Sequence, residues 1–574
     1  MKPTQTPPKN NTTSKFNPFA IGVGLLAIPV FSLVVTTLFW ICGLSMSPII
    51  FPLAIALSLG LVYVVSEKNS PQFFYASCSV LGIIIGSLIL SAFTYDYSYD
   101  GQWYHQEIIS QLKNGWNPIY KFHAPDASRW VNHYAKGLET VSATIYSMTG
   151  NIETGKAVNL LLVFASAFLF FTFLKTCFET LSFKKKILLT FLFVFCPVVG
   201  AQIFTFKNDF AGYALLLTLV PSLILLFRKQ SKYNLFIIGA VVFLACVIKF
   251  NWFFWILFAV FCYLVYMMVI KRYDLLKKII ITCMISSIVA VFIVGFNPYV
   301  TNIIDHKNPF YLVIGEGRVD TIDQFTPSIQ NKARVGKVLT SLCSYPNLTL
   351  NETSRIQEDV KWAFPWNLRF SHFRNCAVDN TRIGGFGVFF CWSFVLSLAL
   401  YGMVAFRKNK LENNINRIHY DIFLLILFLS LFILPLGWWA RFVPFFWAFP
   451  LVMLLYSERE NKIKSINLFR TFIYFLLVIN TSVFLSTGLL RGVLHKITID
   501  KTIRTLEKSD EPVLINFGDD FAFKIKLEHR NIPYQATSEQ LKTLFPKIGS
   551  PRIMLDSEKY AEENNVLVEK KHPN

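Results

Sequence analysis

Runs of about 18 or more apolar residues recur from one end of this chain to the other, each long enough to cross ~30 Å of hydrocarbon as a helix. With 57 Phe among 574 residues and only 16% charged side chains, the chain has far more apolar surface than a water-soluble core can hide. The runs are continuous rather than alternating, which sets aside an outer-membrane barrel. The expected fold class is an all-α polytopic membrane protein. Polar punctuation divides the runs into about thirteen transmembrane helices, at 18–44, 47–66, 72–94, 157–175, 187–204, 210–227, 233–249, 252–270, 278–296, 384–405, 420–436, 441–456 and 467–490. The region of Trp252 reads either as a kink in one helix or as a break between two.

The net charge of +20 is not the footprint of a nucleic-acid partner. Its cations gather in short clusters between apolar runs: Lys184–Lys186, Arg228 and Lys229 with Lys232, Lys271 and Arg272 with Lys277 and Lys278, Arg407 and Lys408 with Lys410, and Lys462 with Lys464. That is the positive-inside pattern. Placing these turns in the cytoplasm puts a tail of residues 1–17 inside, a membrane domain over 18–490, and a C-terminal segment, 491–574, outside. Loops 95–156 and 297–383 then share the outer side with that segment. The expected setting is a bacterial plasma (inner) membrane, multi-pass, with membrane lipid as a partner and the active site extracytoplasmic. The polar, basic residues 1–17 hold no cleavable signal, so the first apolar run is expected to remain as an anchor.

The C-terminal segment changes to ordinary charged sequence. Its "PVLINFG", "FAFKIKLEHRNIPYQAT" and "SPRIMLD" read as strand, helix, strand, helix, strand: a small α/β appendage. It carries no His/Asp/Glu cluster, so its expected role is accessory. Cys343 and Cys376 are the cysteines of an outer loop, where oxidation is allowed, and are expected to pair.

Chemistry-bearing residues collect on the outer face. Of nine histidines only His419 falls on the cytoplasmic side, and the spans are nearly free of Asp and Glu. A transporter places its functional polar groups near mid-membrane, so the asymmetry favours surface chemistry. The first outer loop opens with "DYSYDGQWYHQEIISQLKNGWNP". Tyr104, Ile108 and Leu112 recur every four residues with His105 and Ile109 beside them, one stripe of a short interfacial helix ending near Gly115. Asp100 is its expected N-cap, with Asp96 at the end of the preceding span. Burial and the neighbouring Asp96 charge are expected to raise the Asp100 pKa. Capping and an aromatic belt are the plainer reading, and they leave Asp96 unexplained.

The stretch resembles the first outer loop of the GT-C superfamily of integral-membrane glycosyltransferases, which includes protein O-mannosyltransferases, aminoarabinose transferases and oligosaccharyltransferases. There an acidic motif follows a transmembrane helix and opens a surface helix. This chain matches at Asp100, Tyr104 and Gly115, and departs at Gly101, where many relatives carry Glu. Two apolar spans precede the motif where relatives have one. The resemblance implies a GT-C fold, a polyprenyl-phosphate-linked sugar donor, a glycan, lipid or protein acceptor, and Asp100 as general base supported by Asp96. It also implies a second acidic residue in a later turn, here in "QIFTFKNDFAG", where Lys207 and Asp209 otherwise serve as helix caps.

Three arginines are candidate donor-phosphate ligands, because a guanidinium gives bidentate hydrogen bonds to phosphate. Arg441 stands alone in "GWWARFVPFFW", with snorkelling as its alternative; Arg382 sits in "TRIGGFG" and Arg318 in "GEGRVD". Lys207 joins them as a cation. Substrate contacts are expected from Tyr104, His105, Asp209, His306 and Lys307, the last two beside an aromatic-Pro turn. A divalent cation, Mg2+ or Mn2+, on Asp96, Asp100 and Asp209 is left open, since GT-C members differ in metal use. Inverting transfer of a sugar with an Asp base is the expected activity. An outer-leaflet polysaccharide polymerase or ligase and a transporter or flippase are the alternatives.

Overall fold

The computed structural model describes residues 15–316, 326–350, 356–376, 378–407, 414–460, 462–508, 512–517, 520–536 and 568–569. Helix dominates. The first half contains α1 (Pro18–Ile41), α2 (Ile50–Val65), α3 (Ser70–Ala92), α4 (Gln106–Lys113), α5 (Arg129–His133), α6 (Gly137–Thr149), α7 (Ala157–Cys177), α8 (Phe183–Val194), α9 (Pro197–Gln202), α10 (Asp209–Arg228), α11 (Lys232–Ile248), α12 (Phe250–Val269), α13 (Tyr273–Ile288) and α14 (Phe296–His306). The second contains α15 (Pro327–Gln330), α16 (Arg334–Leu342), the antiparallel pair β1 (Leu348–Leu350) and β2 (Ile356–Glu358), α17 (Phe370–Asn375), α18 (Phe390–Arg407), α19 (Asn414–Ser430), α20 (Ala448–Ser457) and α21 (Lys464–Leu506). Among the described residues, eight helical segments are long and apolar enough to cross a membrane: α1, α3, α7, α10, α12, α13 with its extension to Val294, α18 and α21.

Local chemistry sets the helix starts. Asn17 accepts from the Ala20 N–H at 3.1 Å with Pro18 at the first helical position, and Asn69 does the same for Gln72. Small residues let helices approach: a Cβ at Gly22 would lie 2.7 Å from Leu169 Cγ of α7, and one at Gly24 would lie 2.6 Å from Val62 Cγ2 of α2. α1 is thereby packed into the centre of the bundle.

Several expected spans are re-divided. Residues 187–204 form α8 and α9, because Pro197 opens a new helix and cannot continue the preceding hydrogen-bond ladder. The segment from 441 begins as two 3-10 turns, Ala440–Phe442 and Pro444–Trp447, before α20. The boundary expected between 249 and 252 is present, as a break between two helices rather than a kink: the extended backbone of Lys249 (φ −165°, ψ 137°) separates α11 from α12. At the expected domain boundary, 490/491, the helix is continuous. α21 runs unbroken for 43 residues, ~65 Å, and so continues well past a ~30 Å hydrocarbon core.

The appendage begins later, with β3 (Val513–Ile515), α22 (Phe521–His529) and β4 (Tyr534–Ala536), β3 and β4 pairing in parallel; β5 (Val568–Glu569) adds to the other edge of β3. Ile499, Ile503 and Leu506 of α21 share a core with Ile515, Phe523 and Leu527. α22 also meets the first large loop: Lys526 Nζ lies 2.8 Å from Glu153 Oε1, and His529 hydrogen-bonds Tyr146. The "SPRIMLD" segment and Arg318 lie outside the described residues. The expected Cys343–Cys376 disulfide is not formed. Cys376 is buried with its thiol donating to the His372 carbonyl at 3.3 Å, and Cys343 is likewise a free thiol.

Direction along the bundle follows from α10. It rises ~30 Å from Asp209 to Arg228. The short turn into α11 makes the two antiparallel, so Lys249 returns to the Asp209 end. The basic residues Arg228, Lys229 and Lys232 stay at the other.

Candidate functional site

Asp96 and Asp100 leave α3 together and part company at once. Asp96 Oδ1 accepts from the Ser98 N–H at 2.7 Å, and Oδ2 from the Phe206 N–H at 2.8 Å. Gly101 leaves room for this: a Cβ there would lie 1.8 Å from Asp96 Oδ2. Any side chain at position 101 would collide with this carboxylate. Burial pushes the Asp96 carboxyl up to about 6, with Lys156 opposing and Glu153 adding to the rise.

Asp100 is not the N-cap it was expected to be. Its backbone is already helical (φ −60°, ψ −37°) and its side chain caps nothing; Asp96 and Ser98 serve the first turn instead. Residues Gly101–His105 form a π-turn before α4, a geometry common at functional sites. The Asp100 carboxylate faces Lys207 Nζ at 3.2 Å and Arg441 Nη2 at 3.5 Å, both from Oδ2. Its pKa is lowered, not raised. Burial pushes it up, but Lys207 and Arg441 outweigh burial and hold it well below the usual carboxylate range.

Around this contact six charges interleave. Lys207 Nζ lies 2.7 Å from Asp379 Oδ2, Arg441 Nε 2.9 Å from Asp209 Oδ2, and Lys249 Nζ 2.5 Å from Asp209 Oδ1. Arg441 also donates to Asn380 Oδ1. Three carboxylates thus meet three cations from five segments: the π-turn, the α9–α10 turn, the α11–α12 break, the loop before α18, and the 3-10 turn at Arg441. Neutrality makes such burial tolerable, since an isolated buried charge costs several kcal/mol. Lys207 Nζ and Arg441 Nε sit at ion-pair distance without aligned hydrogen bonds, which leaves donor capacity on buried cations. Asp100 is the most open member, its side chain 20% exposed against 1% for Lys207 and 12% for Arg441.

Aromatic side chains wall the cluster. The Arg441 guanidinium lies 5.0 Å from the Trp439 ring centre and 5.2 Å from that of Phe442. Arg382 lies 4.9 Å from Trp439 and is held by Glu358, which accepts from the Arg382 and Ile383 N–H groups at 2.7 Å each. Tyr104 is buried and stacks on Trp130 at 5.7 Å, and buried His105 hydrogen-bonds Glu139.

Asp100, Asp209, Lys207 and Arg441 therefore converge, with Arg382 and Tyr104 adjacent. His306 and Lys307 do not join them: both lie at the exposed end of α14, where Lys307 adopts a left-handed conformation and His306 stacks on Tyr311. Nor do Asp96, Asp100 and Asp209 assemble as a set of metal ligands. Asp96 is committed to two backbone N–H groups, and the Arg441 guanidinium stands between Asp100 and Asp209. Sequence reasoning missed Lys249, Asp379, Asn380 and Glu358. Lys249 had a readable signal, a lone lysine in an otherwise apolar stretch; Asp379 lay in "DNTRIGGFG" beside the arginine that drew attention.

Fold and site together define a helical protein with apolar spans and an ion-paired polar cluster at one end of its bundle. No family model, no curated protein and no solved structure matches the chain.

Proposed function

We propose that the chain is an inverting membrane glycosyltransferase, moving a sugar from a polyprenyl-phosphate donor to an acceptor at the outer membrane face. In this reading some thirteen spans place loops 95–156 and 297–383 outside, with Asp100 as base and Arg441 and Lys207 as phosphate ligands. The observation that carries it is the sharing of one carboxylate oxygen, Asp100 Oδ2, between Lys207 and Arg441. On this reading a base and a phosphate clamp stand side by side, and the base is the member most open to solvent.

In this reading the order of events starts from the resting ion pairs. An arriving phosphate draws the unspent donors of Lys207 and Arg441 to itself. Asp100 loses its neutralising partners, and its proton affinity climbs back toward the carboxylate range. It then accepts the proton of the acceptor hydroxyl or amine as that atom attacks the anomeric carbon. The C–O bond to phosphate breaks with its electron pair going to the leaving group, whose charge the cations hold. Turnover by protein in proteoliposomes, across a panel of polyprenyl-phosphate sugars, is the test; turnover of none sinks the reading.

One observation favours the second reading, a polysaccharide polymerase or ligase of the outer leaflet. At rest Asp100 is tied between cations, and a cation-driven transfer needs no base beside it. Asp100→Asn separates the two: the glycosyltransferase reading requires loss of turnover, the other retention.

A further inference from the structure

We propose that His123, His133 and Asp305 form a site for a borderline transition-metal dication, with Zn2+ the best fit, clamping the 95–156 loop to the end of α14. The ligand atoms of all three lie within 4.8 Å of one another, and His123 Nε2 is 3.0 Å from Asp305 Oδ2. Bonds of ~2.0–2.2 Å in a tetrahedron put ligand atoms ~3.3 Å apart, so small rotations of side chains complete the set. Two imidazoles and one carboxylate suit Zn2+ better than Mg2+ or Ca2+, which prefer all-oxygen shells. With three protein ligands, the fourth position falls to solvent.

A second observation concerns the proton on His133. The Asn302 side-chain amide donates to the His133 carbonyl at 3.1 Å, which turns Asn302 Oδ1 toward the ring. That oxygen lies 2.8 Å from His133 Nδ1, so Nδ1 must carry the hydrogen and Nε2 presents a lone pair. Metal-bound histidines are oriented in this way, by a hydrogen bond at the far nitrogen. His306 packs edge-on against His133 at 4.8 Å and stacks on Tyr311, bracing the ring from the α14 side.

The clamp bears on the ionic cluster through one residue. Tyr134 follows His133 and packs on Trp130 at 5.5 Å and Phe250 at 5.2 Å, while Trp130 stacks on Tyr104. Metal at His133 would fix the loop that carries this aromatic wall.

Tag-free full-length protein in detergent, titrated with Zn2+ against a chromophoric chelator and with Co2+ by absorption, tests the site. One equivalent should bind, with a Co2+ spectrum of low coordination number. His123→Ala and Asp305→Ala alter exposed positions and should each weaken binding by ~10–100-fold or more, the range that loss of even an outer-shell partner produces. Lys307→Ala should leave it unchanged. Absence of a stoichiometric site overturns the proposal, as does equal affinity in wild type, His123→Ala and Asp305→Ala.

Discussion

Asp100 concentrates the chemistry at the scale of single residues. Because its side chain caps no helix end, Asp100→Asn removes a charge without removing a capping bond. In the glycosyltransferase reading turnover should fall ~100-fold or more, as for loss of a general base, while donor binding persists. Stability gives an independent check, with its sign set by the lowered pKa. A carboxyl whose folded value lies below its ordinary value of 3.8 stabilises the fold above that value, and the contribution fades as pH falls through it toward the folded value. Thermal midpoints of wild type and Asp100→Asn should therefore differ at neutral pH and converge below about pH 4. A gap that persists in acid contradicts the ion-pair account. Arg441 allows a sharper substitution. It reaches Asp209, Asp100 and Asn380 at once, and one ammonium cannot replace a fork with that span. Arg441→Lys should express normally and lose most activity; full activity would make Arg441 a simple anchor.

At the scale of elements, the short helix after Asp100 was legible because Tyr104, Ile108 and Leu112 repeat at helical spacing, and all three are buried. Its cap was not legible, because two aspartates four residues apart fit the same sequence rule. Only the position of Phe206, more than a hundred residues on, decides that Asp96 takes the backbone and leaves Asp100 for the cations. The same limit applies to Asp379, whose partner Lys207 comes from a distant turn. The helix break at Pro197 was visible in principle, and that at Lys249 fell at the expected boundary between spans 233–249 and 252–270, although no breaker residue marks it. Gly101 yields an element-scale prediction. Gly101→Ala drives a methyl into Asp96 Oδ2 and should destabilise the π-turn, as read by thermal unfolding. Combined with Asp96→Ala, which removes the nearest clash and leaves only Ser98 Oγ at 2.5 Å, its cost should be less than additive. Strict additivity would mean that the two side chains do not compete.

On the scale of the whole molecule, charge and packing make one joint claim. The basic turns at Arg228, Lys229 and Lys232 lie a helix length away from Asp209 and Lys249, so whichever compartment holds the former, the ionic cluster faces the other. α21 carries the argument to the C-terminus. It extends beyond a bilayer's thickness and hands the chain to α22, which docks on Glu153 and Tyr146 of the first loop. The C-terminal unit thus shares a side with the first loop, which carries Asp100, by direct contact and independent of any charge rule. Truncation after Lys508 removes the Lys526 partner of buried Glu153, and should lower the yield of folded protein more than the turnover of what remains. Reporter fusions then test the orientation. The positive-inside rule predicts cytoplasmic signals at Lys185 and Lys408 and an external signal at the C-terminus. Because α22 packs on the loop that carries Asp100, a cytoplasmic signal at the C-terminus would carry the whole site inside with it. No polyprenyl-phosphate donor at the outer face would then reach Asp100, and the proposed activity would have to be given up rather than adjusted.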